Sequence, residues 1–145
     1  MKLGIMQPYF FPYFGHFALI AAVDEWIVFD VTQYTPKTWM NRNRILHPKE
    51  GWQYLNVPLA NSSIAIRTHE ARVLDPAGAQ ASIVGKLTAF RRHAPFHAQV
   101  SELVRAAFAG AADDSLCALN VSTLRTVCDY LGIPFSYRIC SQLGL

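Results

Sequence analysis

Leu3-Gly4-Ile5-Met6-Gln7-Pro8-Tyr9-Phe10-Phe11-Pro12-Tyr13-Phe14-Gly15-His16-Phe17 opens the chain and decides how the rest is read. Its first four residues form a continuous apolar run without alternation, as in a strand covered on both faces. An aromatic, proline-bearing loop, Gln7 to Phe14, follows. Gly15-His16 then opens a segment ending near Asp24, in which Phe17, Ile20 and Val23 fall close to helical spacing. A second apolar run, Trp26-Ile27-Val28-Phe29, comes next. Strand, loop, helix, strand is a βαβ unit, which requires a parallel sheet and a right-handed crossover. The first strand is expected at or near the centre of that sheet.

Downstream, Asp30 to Glu50 is polar, basic and aromatic, with a weak strand around Met40 to Ile45. Trp52 to Pro58 alternates, Gln53, Leu55 and Val57 against Trp52, Tyr54 and Asn56, as a half-exposed strand does. Ile64 to Leu74 alternates less cleanly and is expected as an edge strand or two short ones. Three helical stripes follow: Ile83, Leu87, Phe90 and Ala94; Val100, Leu103, Val104, Ala107 and Phe108; and Cys117, Val121, Leu124, Cys128 and Leu131. Pro95, Gly110 and Gly132-Ile133-Pro134 stop them, and Asp113 or Asp114 is placed to cap the third. Phe135 to Cys140 reads as a last strand. The order predicts one α/β domain over residues 1–145, a mostly parallel sheet with a helical layer.

Composition agrees with a folded domain: 145 residues, 52% apolar and only 16% charged. The net charge of +3 is mild, short of the basic face that nucleic-acid binders carry. It is uneven, however. Lys37, Arg42, Arg44 and Lys49 meet only Glu50, and Lys86, Arg91, Arg92 and Arg105 meet only Glu102. Two local clusters suit a small anionic ligand, a nucleotide or sugar phosphate. Three cysteines show no secreted-domain spacing, and Cys117 and Cys128 share a helical face with core residues. No signal-peptide pattern and no apolar run of membrane-spanning length occurs, so a cytoplasmic protein is expected.

Two stretches carry candidate chemistry. The Gln7–Phe17 loop runs from a strand end into a helix start, where α/β proteins bind ligands and free backbone amides meet anions. There Gly15 would let a phosphate approach and His16 could donate to it; equally, the loop could simply cover the sheet with His16 at the helix start. The second stretch is Gln33-Tyr34 through Trp39-Met40-Asn41-Arg42-Asn43-Arg44-Ile45. In an extended segment Asn41 and Asn43 project to one side and Arg42 and Arg44 to the other. Two arginines on one edge can hold a phosphate or carboxylate bidentately, or form a basic edge that discourages aggregation. Asp30, at the end of the second strand, is an acid candidate or a turn residue. His47, His69, His93 and His97 show no metal-ligand spacing, and the residues name no cofactor.

Gln7-Pro8-Tyr9-Phe10-Phe11-Pro12-Tyr13, Gln33-Tyr34, Trp39 to Ile45, Val57-Pro58-Leu59, Ala94-Pro95-Phe96 and Leu131-Gly132-Ile133 together resemble the WbqC-like family. The resemblance implies a role in lipopolysaccharide O-antigen and related sugar chemistry. Tyr13-Phe14-Gly15-His16 is further similar to the His-x-Gly-His signature of nucleotidyltransferases and pantothenate-synthetase-like ligases, with Tyr13 in place of the first histidine. That similarity implies a nucleotidyltransferase-like, Rossmann-like sheet, with His16 and Tyr13 in catalytic positions. In the leading reading of the residues, an enzyme acting on a nucleotide or activated sugar, Gln7 and Gly15 hold phosphate with Tyr13 and His16. Arg42 and Arg44 hold a second anionic group, and Gln33, Tyr34, Asn41 and Asn43 complete the binding set; the alternative is a non-catalytic binding or assembly protein. Tyrosine can donate a hydrogen bond but cannot carry positive charge.

Members of the family generally continue past the last strand, so some apolar face is expected to lack cover and to drive homo-oligomerisation. Light scattering at high concentration should report a dimer or larger. A clean monomer would contradict this expectation.

Overall fold

The computed structural model describes residues 1–144. Strands β1 (Leu3–Met6) and β2 (Glu25–Val28) pair in parallel around helix α1 (Phe14–Ala21), as the apolar runs predict. Gly4 is required here. It lies in register with Trp26, and a Cβ on it would stand 2.6 Å from the Trp26 ring. The last strand, β5 (Tyr137–Ile139), pairs in parallel with the far side of β2. The sheet order is β1-β2-β5, which corrects the expected central position of β1: β2 is central and β1 lies at an edge. Nor is β1 covered on both faces: Gly4 points with Trp26 into the core, while Leu3 and Ile5 point to the opposite face and are exposed.

One face of this sheet is covered by α1 and by α4 (Leu116–Leu131). Phe17, Ile20, Trp26, Val28, Val121 and Leu124 pack there with Cys117 and Cys128. On the opposite face Glu25 and Arg138 form a two-pronged ion pair at 2.6 and 2.7 Å. A second core lies under an antiparallel hairpin, β3 (Arg42–Leu46) and β4 (Trp52–Asn56). Leu55 and Val57 meet Ile83 of α2 (Pro76–Leu87) and Val104 and Phe108 of α3 (His97–Ala109). The architecture is a mixed α/β domain, a small parallel sheet and a hairpin with four α-helices among the described residues. No helix among them is long and apolar enough to cross a membrane.

Three local expectations are corrected. Residues Ile64 to Leu74 form no strand; they make single bridges, Leu59 to Val73, Gln33 to Arg67 and Arg72 to Ser115, around a 3-10 turn at Thr68–Glu70. Asn61 explains the difference, since its side chain donates to Glu70 O and accepts from Arg72 N, offering the backbone partners that a ladder would supply. The stripe Ile83, Leu87, Phe90 and Ala94 is not one helix: α2, capped at Asp75 through the Gly78 amide, ends at Leu87, Phe90 lies in a 3-10 turn (Thr88–Phe90) and Ala94 lies beyond it. Helix α4 is capped by Ser115, whose Oγ accepts from the Ala118 amide. Asp113 instead accepts from Ser115 N, and Asp114 pairs with Arg72 at 3.1 Å. Gly132, at φ 68°, ends α4 in the left-handed region that glycine favours.

Helix α4 packs into both cores, through Leu116 and Leu119 on one side and Cys117, Val121 and Leu124 on the other. Asn120 is fully buried in it. Its Nδ2 donates to Pro8 O and to Met40 O, both at 2.7 Å. The two loops leading into and out of the candidate ligand region are thereby tied to one helix. Replacing Asn120 by alanine orphans two buried carbonyls and should cost about 2–4 kcal/mol, read from urea denaturation. An unchanged midpoint would contradict this role.

Burial pushes the Cys117 thiol up to about 12, with the Asp30 carboxylate adding to the effect, and takes Cys128 up to about 11. A thiol reagent at neutral pH should therefore modify the half-buried Cys140 in the native protein. The other two should react only as the chain unfolds; rapid reaction of all three would contradict the packing.

Candidate functional site

The Gln7–Tyr13 loop is held from its inner side by amides. Asn43, pointing inward from β3, donates through Nδ2 to Phe11 O at 2.6 Å and Phe10 O at 3.2 Å. Phe10 N donates to Trp39 O at 2.9 Å. These bonds support Phe11 at φ 40°, a left-handed value that an aromatic residue adopts only when its surroundings hold it there. Phe10 is driven into the core against Phe108, while Tyr9, Pro12 and Tyr13 are left facing Trp39, Asn43 and Arg44 across a cleft of about 390 Å³.

The alternation of Asn41, Arg42, Asn43 and Arg44 separates inward from outward groups, as strand geometry requires. Asn41 donates to Val57 O and accepts from the buried Tyr34 hydroxyl. Burial raises the Tyr34 pKa, keeping that hydroxyl a donor. On the outer face the arginines lie over aromatic rings. Arg42 is 4.3 Å from the Tyr54 ring centre and 5.9 Å from that of Trp39; Arg44 is 4.9 Å from Trp52 and 5.3 Å from Trp39. Neither guanidinium is in an ion pair among the described residues.

Of the residues singled out from sequence, Tyr13, Asn43 and Arg44 line the cleft, and the others do not. Gln7 donates to Thr32 Oγ1 at 2.9 Å, within a hydroxyl network that reaches Thr68. Gln33 donates to Ile64 O at 2.6 Å, on an exposed turn. The space beside Gly15 is filled by the Tyr13 ring, 2.4 Å from where a Cβ would stand. His16 does not reach the cleft surface. It is 2% exposed, ringed by Tyr9, Phe17 and Trp26, and neither ring nitrogen has a partner. Burial lowers its pKa to about 4, so the ring is neutral at pH 7.

A second cavity, of about 370 Å³, opens at the carboxyl ends of β2 and β5. Asp30 is buried there and accepts from Ser141 N at 2.9 Å and Ser141 Oγ at 2.6 Å, with the Cys117 thiol at 3.7 Å. His69 Nδ1 lies 3.2 Å from Asp30 O. These contacts clasp the end of β5 to that of β2. Sequence reading missed this clasp, the Asn120 tie and the aromatic partners of the arginines. The last had a signal: Trp52 and Tyr54 share one face of an alternating strand, as Arg42 and Arg44 do.

The sequence model of the WbqC-like protein family matches residues 7–145. The uncharacterized protein Rv1507c of Mycobacterium tuberculosis (strain ATCC 25618 / H37Rv) is 33% identical over 135 residues. That match covers 91% of this chain but 57% of the relative, so the chain spans little more than half of its length. No solved structure matches the chain.

Because His16 is held neutral in the fold and takes a proton near pH 6.5 once unfolded, its linkage to stability has a definite sign. Stability should fall as pH drops from about 6.5 and level off below about 4 as the native ring also protonates. His16→Phe, an apolar ring in a site without polar partners, should remove most of that slope. Equal slopes for both proteins in urea titrations at several pH values would contradict the burial.

Proposed function

Since the chain belongs to the WbqC-like protein family, we propose that it binds a small anionic ligand, a nucleotide or nucleotide-activated sugar, in the Tyr13–Arg44 cleft. We place this binding in the cytoplasm, in bacterial surface-polysaccharide (O-antigen) biosynthesis. The observation that carries the reading is Arg44: it lines the cleft, is oriented by Trp39 and Trp52, and has no carboxylate partner among the described residues. A planar fork already held by aromatic faces loses little freedom when it grips a phosphate bidentately. Tyr9, Tyr13 and Trp39 offer faces on which a sugar or base can lie, and the Tyr13 hydroxyl can donate to it. Asn43 fixes the cleft wall in this reading through the Phe10 and Phe11 carbonyls, with Asn41 and Tyr34 bonded to each other behind it. Gln7, Gln33 and Gly15, bonded to Thr32, bonded to Ile64 and covered by the Tyr13 ring, make no ligand contact in it.

The more specific reading is a transferase moving a nucleotidyl or acyl group, with the β1-α1-β2-β5 sheet as a small Rossmann-like unit of nucleotidyltransferase type. Catalysis would then rest on positioning and charge stabilisation by Tyr13 and Arg44. The cleft lining favours the alternative, binding without turnover. Tyr9, Pro12, Tyr13, Trp39, Asn43 and Arg44 include no carboxylate, thiol or imidazole to take a proton, and the neutral, buried His16 cannot supply positive charge to a phosphate.

A thermal-shift panel of nucleotides and sugar nucleotides, followed by a product assay, separates the two readings. For whichever compound stabilises the protein, Arg44→Ala should weaken affinity about tenfold or more, the loss of a charge-assisted hydrogen bond of roughly 1.5–3 kcal/mol. Arg44→Lys should fail to restore a bidentate contact. Melting without ligand should fall only slightly, by the lost cation–aromatic contact of about 0.5–1 kcal/mol. Wild-type affinity in Arg44→Ala would remove this cleft from the binding site.

A further inference from the structure

Arg42 does not line the cleft, yet it repeats the setting of Arg44 two residues back along β3. Each guanidinium lies over the aromatic ring diagonal to it on β4. Arg44, in register with Tyr54, is 4.9 Å from the Trp52 ring centre; Arg42, in register with Asn56, is 4.3 Å from that of Tyr54. Trp52 and Tyr54 meet edge to face at 4.9 Å. Trp39, from the loop before β3, joins the two cations: its ring centre is 5.9 Å from Arg42 and 5.3 Å from Arg44. Side chains two residues apart on one strand leave the backbone about 7 Å apart. Neither guanidinium has an ion-pair partner among the described residues. Arg42 is also half-buried, and its Nε is shut off from solvent with no hydrogen-bond partner. Glu50, the acid nearest in sequence, lies in the hairpin turn beyond Leu46.

Building on the cleft reading above, we propose that the ligand class is a diphosphate, a nucleoside diphosphate or its sugar ester, and not a nucleoside monophosphate. Arg44 holds one phosphate at the cleft, and Arg42 holds the adjoining phosphate beside Trp39. Two observations carry this choice. The first is the spacing. One phosphate cannot meet two forks that leave the strand this far apart with paired hydrogen bonds to each, whereas two linked phosphates offer a separate set of oxygens to each guanidinium. The second is the uncompensated charge. Two like charges share one aromatic ring, one of them partly desolvated with an unpaired donor, and a doubly charged group between them relieves repulsion and desolvation together. The stacked rings hold both planar forks in place before the ligand arrives, so little side-chain freedom is lost on binding.

The test is calorimetric titration of the whole chain with the mono- and diphosphates of adenosine, guanosine, cytidine and uridine, without magnesium so that no cation shields the phosphates. For the base that binds, the diphosphate should bind about tenfold or more tighter than the monophosphate, the gain from one further charge-assisted contact. Arg42→Gln should bring that ratio close to one while leaving monophosphate affinity within about twofold. Arg44→Gln should weaken both ligands. Arg42→Lys, which keeps the charge without the planar fork, should recover part of the ratio, separating an effect on the ligand from one on the fold. A diphosphate that binds no tighter than its monophosphate overturns the proposal, as does a ratio that survives Arg42→Gln; monophosphate binding that still depends on Arg44 would leave the cleft itself standing. Absence of binding by every nucleotide overturns both.

Discussion

A buried amide ties the two loops around the candidate cleft to the helix, α4, that packs into both cores of this molecule. Asn120 Nδ2 donates to the carbonyls of Pro8 and Met40, and these residues belong to the two loops that shape the candidate cleft. Both carbonyls lie where water does not reach, so without the amide each would be left unpaired in a low-dielectric interior. Helix α4 packs on the parallel sheet through Cys117, Val121, Leu124 and Cys128. Asn120, on the same helix, transmits that rigid position to the loops. Asn43 repeats the device from the hairpin side by holding the carbonyls of Phe10 and Phe11. The strained Phe11 conformation and the outward set of Tyr9 and Tyr13 follow from being gripped at both points.

The same arrangement divides the labour within the Asn-Arg-Asn-Arg segment. The asparagines are spent on structure: one holds Val57, the other the aromatic loop. The arginines are left on the outer face, each over an aromatic ring of the paired strand or of Trp39. Cation–aromatic contact of this kind contributes about 0.5–1 kcal/mol at an exposed site. More usefully for a ligand, it orients the guanidinium while leaving its in-plane donors free. His16 shows the opposite outcome. Packing against Tyr9 and Trp26 takes it out of solvent and holds it neutral, a poor state for gripping a phosphate.

How much of this was legible in the sequence depended on whether the determining contacts were local. The βαβ unit, the half-exposed β4, the second and third helical stripes and the burial of Cys117 and Cys128 could all be read from spacing, because period and burial go together. The edge position of β1 could not, since it depends on β5, more than a hundred residues away, choosing β2 as its neighbour. The segment Ile64 to Leu74 misled because its apolar residues alternate roughly while Asn61 diverts the backbone from pairing. At the cleft, the outward arginines followed from strand alternation. The inward anchoring roles of Asn43 and Asn120 rest on carbonyls far away in the chain, which no local pattern announces. His16 was placed correctly at the helix start, but its burial depends on Trp26 and Tyr9 closing over it.

In the proposed arrangement the amide-anchored loop and Arg44 form the ligand site, while the Asp30–Ser141 cavity at the strand ends is a structural clasp. Backbone amide shifts of the isotope-labelled chain, titrated with nucleoside diphosphates and sugar nucleotides, address it directly. Saturable changes should be confined to Tyr9, Tyr13, Trp39 and Arg44 and their neighbours, with Asp30, His69 and Ser141 unmoved. Changes centred on Asp30 and Ser141, with the Tyr13–Arg44 cleft silent, would contradict it.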